Sequence, residues 1–117
     1  MDVYDRLWLE KVIEDLAQPY LDKEYFIPDV AIDLYLKIAP LGFPERNMLS
    51  VKEVSELLGV HQQTIRRLAW YGKIEAIYIK SAKKGRGEKK GWGKRVMIPI
   101  GSVLAFVIKN SLLNDEV

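Results

Sequence analysis

The chain has 117 residues, no cysteine, one histidine and a formal net charge of +2. That length gives one modest core, with or without a short appended element, and leaves no space for a second catalytic domain; the lack of cysteine removes disulfides, thiolate metal sites and cysteine nucleophiles. The N-terminus is acidic and amphipathic, unlike a leader, and no window approaches the roughly 18 apolar residues of a membrane span, so a soluble, cytoplasmic protein with no membrane partner is expected.

The small net charge conceals a division. Residues 1–48 carry five basic and ten acidic side chains, whereas residues 49–117 carry thirteen basic and six acidic ones. Phosphate repels an acidic front end, so this half is expected to point away from any nucleic acid or to fold against the basic half, and to serve protein contacts.

In chain order, the first predicted element is a helix over 2–18. Val3, Leu7, Trp8, Val12, Ile13, Leu16 and Ala17 recur at helical spacing, with Asp5, Arg6, Glu10, Lys11, Glu14 and Asp15 outside, and Pro19 ends the helix. Trp8 is read as a core or interface anchor. Tyr20 to Phe26 is an aromatic-rich connector. Residues 28–39 fit two periods: Val30, Ile32, Leu34, Leu36 and Ile38 alternate as in a strand, while Ile27, Ala31, Leu34 and Ile38 fit a helix opened by Pro28 and Asp29. The helix is favoured, and Trp8 and Leu34 are the expected contact surface. Pro40, Gly42 and Pro44 then mark a linker, so residues 1–46 are predicted to form a helical extension for interaction or dimerisation, followed by a second unit over 47–113.

The next stretch is the most specific. Ser50 and Glu53 read as a capping box, so a helix is predicted from Val51. Val51, Val54, Leu57 and Leu58 share one face, Gly59 supplies a left-handed stop, and Val60 is expected to re-enter the core. From His61 the period resumes with Ile65, Leu68 and Ala69 inward and Gln62, Gln63, Arg66, Arg67 and Trp70 outward, until Gly72. Trp70, like Trp8, is weighed as a core or interface anchor. The single His61 suits capping or packing better than catalysis or metal binding.

A strand is predicted over 74–80 and another over 96–99, with Ile74, Ala76, Tyr78 and Lys80 on one face and Glu75, Ile77 and Ile79 on the other. Between them, Ser81 to Arg95 carries seven basic residues against a single Glu88. Gly85, Gly87, Gly91 and Gly93 predict a flexible tip that orders on binding, and Trp92 is read as packing on the hairpin base, ahead of stacking on a sugar or wedging against a minor-groove step. Ser102 to Leu113 is predicted as a closing apolar helix with a frayed tail beyond it.

Leu49 to about 109, through LSVKEVSELLGV, TIRRL, Gly72, two strands and Ile98-Pro99, resembles the winged helix-turn-helix of excisionase and MerR-type DNA-binding proteins. Two departures stand out: His61 replaces the small N-cap usual for the second helix, and the wing over 81–95 is much longer than the family's brief turn. The resemblance implies a mainly α fold with a small β-hairpin, a winged helix-turn-helix preceded by the N-terminal extension. It also implies small regulatory or architectural proteins, often of phages, plasmids and other mobile elements.

The partner expected is double-stranded DNA, with a homodimer or protein partner through residues 1–46. Gln62, Gln63, Arg66 and Arg67 are the candidate base-reading residues, since Arg suits guanine O6 and N7 and Gln suits the adenine edge. His61, Thr64, Lys73, Lys83, Lys84, Arg86, Lys89, Lys90, Lys94 and Arg95 are the candidate backbone contacts. Alone, a Gln/Arg helix face is ordinarily solvated; the adjoining glycine turn and basic loop turn the reading toward DNA. No P-loop, dinucleotide fingerprint, nucleophile elbow or paired His ligands occur, so no catalytic residue, metal or cofactor is expected. The competing readings are an interaction adaptor on a winged-helix scaffold, a packaging factor like a phage terminase small subunit, and an RNA binder.

Overall fold

The computed structural model describes residues 3–42, 47–80 and 94–111. Helix α1 spans Val3–Ala17 and buries Leu9, Ile13 and Ala17, three residues each four apart and hence on one face. Val3, Leu7 and Trp8, predicted inside, are instead 69%, 57% and 63% exposed. The reason is geometric. At about 100° per residue, Val3, Tyr4, Leu7 and Trp8 form one apolar stripe, and Leu9, Val12, Ile13, Leu16 and Ala17 form a second on the opposite side of the helix. Only the second can face the core.

A 3-10 turn over Gln18–Tyr20, with Pro19 inside it, ends α1. Residues 28–39 resolve as helix: α2 spans Asp29–Ile38, with Pro28 at its N-cap and the Pro28 carbonyl accepting from the N–H groups of Ala31 and Ile32. Ala31, Ile32, Leu34, Tyr35 and Ile38 are buried at helical spacing, while Val30 and Leu36, which created the strand-like alternation, are exposed. Leu34 therefore belongs to the core and offers no contact surface. Arg6 joins the two helices, its Nη2 lying 2.6 Å from Asp29 Oδ1.

After Gly42 the description resumes with a strand that the periodicity did not predict, β1 (Met48–Ser50). Helices α3 (Val51–Leu58) and α4 (Gln62–Trp70) follow, then strands β2 (Ile77–Lys80) and β3 (Lys94–Pro99), and helix α5 (Ile100–Lys109). The sheet is antiparallel in the order β1-β3-β2, with Leu49 opposite Ile98 and Ile77 opposite Met97. The Ile100 N–H donates to the Asn47 carbonyl, carrying the β1 pairing past the end of β3. Pro99 caps α5, so this helix begins two residues earlier than predicted.

Helix α5 is the centre of the core. Ile100 to Ala105 and Ile108 are all buried, and one cluster of buried side chains runs from Leu9, Ile13 and Ile38 through Leu49, Val54 and Ile65 to Ile98, Leu104 and Ile108. Residues before the 40–44 segment and after it thus share one core. Gly101 permits the closest approach: a Cβ there would collide with the Leu16 carbonyl oxygen, so α1 and α5 touch backbone to backbone.

Candidate nucleic-acid interface

Local chemistry fixes the α3–α4 corner. The Glu53 N–H donates to Ser50 Oγ at 3.1 Å and the Ser50 N–H donates to Glu53 Oε1 at 2.9 Å, closing the capping box. Val51 and Val54 are buried, and Leu57 and Leu58 are half-buried. Gly59 has φ +69°, and both it and Val60 donate their N–H groups to the Ser55 carbonyl. That backbone hold reverses the chain without help from the Val60 side chain, which is 39% exposed; Val60 does not re-enter the core as expected.

His61 occupies the N-cap of α4 with extended backbone (φ −69°, ψ 150°), and its carbonyl accepts from Thr64 and Ile65. Its imidazole makes no capping bond and is exposed. The capping role read for it is therefore one of position only. The N–H groups of Gln62 and Gln63, as the first two of the helix, lack an intrahelical acceptor and carry the positive end of the helix dipole.

Ile65 is fully buried and Leu68 and Ala69 are half-buried, which turns Gln62, Gln63, Thr64, Arg66, Arg67 and Trp70 outward. All six are exposed. The structure brings the four candidate base readers onto one surface, and Arg66 Nη2 reaches Gln62 Oε1 at 3.5 Å. Trp70, which the sequence also allowed as a core anchor, is 80% exposed.

Past α4, Gly72 at φ +75° turns the chain back. Its N–H donates to the Ala69 carbonyl, the N–H groups of Lys73 and Ile74 both donate to the Leu68 carbonyl, and Ile74 plugs into the core. One anchor was not legible from periodicity. The buried Ser102 hydroxyl of α5 accepts from the Glu75 N–H at 2.7 Å and donates to the Glu75 carbonyl at 3.0 Å, pinning the exit of α4 to the core. Because residues 74–76 are held this way, β2 starts at Ile77 and not at Ile74, and Ile77 and Tyr78 are both partly open to solvent.

Lys80 pairs with Lys94 and Ile79 with Arg95 across β2 and β3. Lys73 and Arg95 are exposed. The remaining candidate backbone contacts, Lys83, Lys84, Arg86, Lys89 and Lys90, lie outside the described residues together with Trp92. The described interface is thus α4, its capping turn and the base of the β2–β3 pair.

The sequence family described as a helix-turn-helix domain matches residues 48–111, more than half of the chain. The chain belongs to this helix-turn-helix domain family. No curated protein and no solved structure matches it. The matched span begins at β1 and runs past α5, so the helix-turn-helix domain includes the strand that periodicity missed and the helix on which α1 packs. This family is of the excisionase type, in accord with the resemblance carried by LSVKEVSELLGV and TIRRL, and it supports a DNA-binding regulatory role. Among the described residues, no helix is long and apolar enough to cross a membrane.

Proposed function

We propose that this protein is a double-stranded DNA-binding factor, a transcriptional regulator or excisionase-like architectural protein, that inserts α4 into the major groove. The observation that carries the reading is the outward face of α4, on which Gln62, Gln63, Arg66 and Arg67 are exposed together while Ile65 anchors the opposite side. In this reading Gln62, Gln63, Arg66 and Arg67 contact base edges. His61 and Thr64 meet a phosphate beside the open N-terminus of the helix, and Lys73 and Arg95 lie against the flanking backbone. The segment over 81–95 is a wing whose basic residues follow adjacent phosphates. No covalent step is proposed; the protein acts by binding.

Fluorescence anisotropy on random duplex DNA across a salt series tests this, with RNA as competitor and a variant lacking Lys83 to Lys90 alongside. If the wing neutralises about five phosphates, the log–log salt slope is about −4.5, and affinity falls roughly 500-fold between about 50 and about 200 mM salt. The deletion flattens that slope. No duplex binding at low salt, or equal competition by RNA, overturns the reading.

A second contact is favoured by α1. Val3, Tyr4, Leu7 and Trp8 are exposed on the face turned away from the core, and a lone recognition helix contacts too little DNA for high specificity. We read this stripe as the surface for a second copy or a protein partner. Sedimentation of the wild type and of a Leu7→Ser/Trp8→Ser double variant, free and on DNA, checks it. A monomeric wild type under both conditions removes the second copy.

A further inference from the structure

Trp70 stands on the outward face of α4, at its C-terminal end. The inward direction of this helix is set by Ile65, Leu68 and Ala69. At about 100° per residue, the opposite direction passes between Gln63 and Arg67, with Trp70 and then Arg66 on the Gln63 side. Gln63 and Trp70 are seven residues apart, hence on one line and separated by about 10 Å along the axis, roughly three base-pair steps.

Nothing in the packing of the helix calls for an indole at this position. Leu68 and Ala69 already supply the inward contacts of the last turn, and Trp70 is left 80% exposed. Covering that apolar surface with a partner group would be favourable. Its surroundings point to the occupant. From His61 to Ile74 there is no acidic residue, whereas Arg66, Arg67 and Lys73 all lie within four residues of Trp70. A polyanion suits that field, and the indole continues the line of the Gln63 side chain. The apolar group that duplex DNA displays in its major groove is the thymine C5-methyl.

We propose that Trp70 is a specificity-determining residue whose indole packs on a thymine C5-methyl group, extending the base-reading surface of α4 by one turn. The proposal rests on α4 being the recognition helix.

The experiment selects preferred sites from a random duplex pool with the full-length wild type and with Trp70→Ala and Trp70→Phe. Trp70→Ala is expected to melt as the wild type does, because the side chain is exposed. It should lose preference for thymine at one position, while Trp70→Phe keeps part of it. Deoxyuridine at that position should weaken the wild type about fourfold, the effect of one buried methyl, and leave Trp70→Ala unchanged. Random-duplex affinity and salt slope should be the same for both.

Three results overturn the proposal while leaving the recognition-helix reading intact. Trp70→Ala selects the same site as the wild type; it weakens selected and random duplexes equally, which places the indole on the sugar–phosphate backbone; or it alters only self-association in sedimentation, which places it against a second copy. Absence of any duplex binding by the wild type at low salt overturns the recognition-helix reading itself, and this proposal with it.

Discussion

Ser102 shows how one hydroxyl positions an interface from a distance. It is 3% exposed and satisfies both the N–H and the carbonyl of Glu75, 27 residues away in sequence, on the segment where the chain leaves α4. Replacing it with alanine leaves two backbone groups without their partner in a part-buried place. Ser102→Ala should therefore lower stability by about 1–3 kcal/mol, read as a fall in the urea midpoint with unchanged m-value. A second single-residue prediction concerns pH. Tyr25 Oη donates to Asp22 Oδ1 at 2.7 Å; this bond is the main cause that holds the Asp22 carboxyl below its ordinary value and that raises the Tyr25 phenol above its own. A depressed carboxyl contributes stability that is present above its ordinary pKa and is lost as pH falls through the folded value. A raised phenol contributes stability that is present below its ordinary pKa and is lost as pH rises through the folded value. The pair therefore acts across the neutral range and fades at both extremes. Asp22→Asn should move the Tyr25 midpoint down in an NMR titration, and Tyr25→Phe should move the Asp22 midpoint up; unmoved midpoints would mean the bond does not form in solution.

Elements were legible where their signals are local. The corner from α3 to α4 is specified by Ser50, Glu53, Gly59 and Gly72, each acting within about one turn, and the sequence reading met the structure at these four residues, though not at Val60, which stays exposed. Strand β1 was not legible, because three residues carry no usable period and their pairing depends on β3, nearly fifty residues later. Helix α1 was read with one apolar face although it has two, since Trp8 and Leu9 are adjacent and only the packing partner decides which stripe is inside. That partner is α5, and the contact turns on Gly101, whose missing side chain no hydrophobic pattern reports. Gly101→Ala would place a methyl against the Leu16 carbonyl oxygen, a backbone atom that cannot swing aside. The substitution should cost about 3 kcal/mol by forcing α1 away from α5. Denaturation monitored by urea would register this, and a neutral outcome would show that the two helices approach less closely in solution.

At the scale of the whole molecule, the two halves that the charge division marks in the sequence share one core. The acidic first half contributes Leu9, Ile13, Ala31, Leu34 and Ile38 to the same buried cluster as Leu49, Val54, Ile65 and Leu104 of the helix-turn-helix domain. Helix α5 is buried along nearly its full length, with α1 and α2 both packed on it, so removing the front half would bare the apolar side that those helices cover. Residues 47–117 expressed alone should therefore lack a cooperative thermal transition by circular dichroism, whereas the full chain melts in a single step. A truncated domain that melts cooperatively at the full-length temperature would make the first half an independent appendage. The single-core outcome carries a functional consequence. The orientation of α1 would then be fixed relative to α4 through the core that both share with α5, and any partner seated on the exposed Val3, Tyr4, Leu7 and Trp8 stripe would hold α4 at a set angle and distance. If α4 reads DNA as proposed, such a partner would govern the spacing of DNA sites as well as the affinity for them, because paired half-sites must match the separation of the helices that read them.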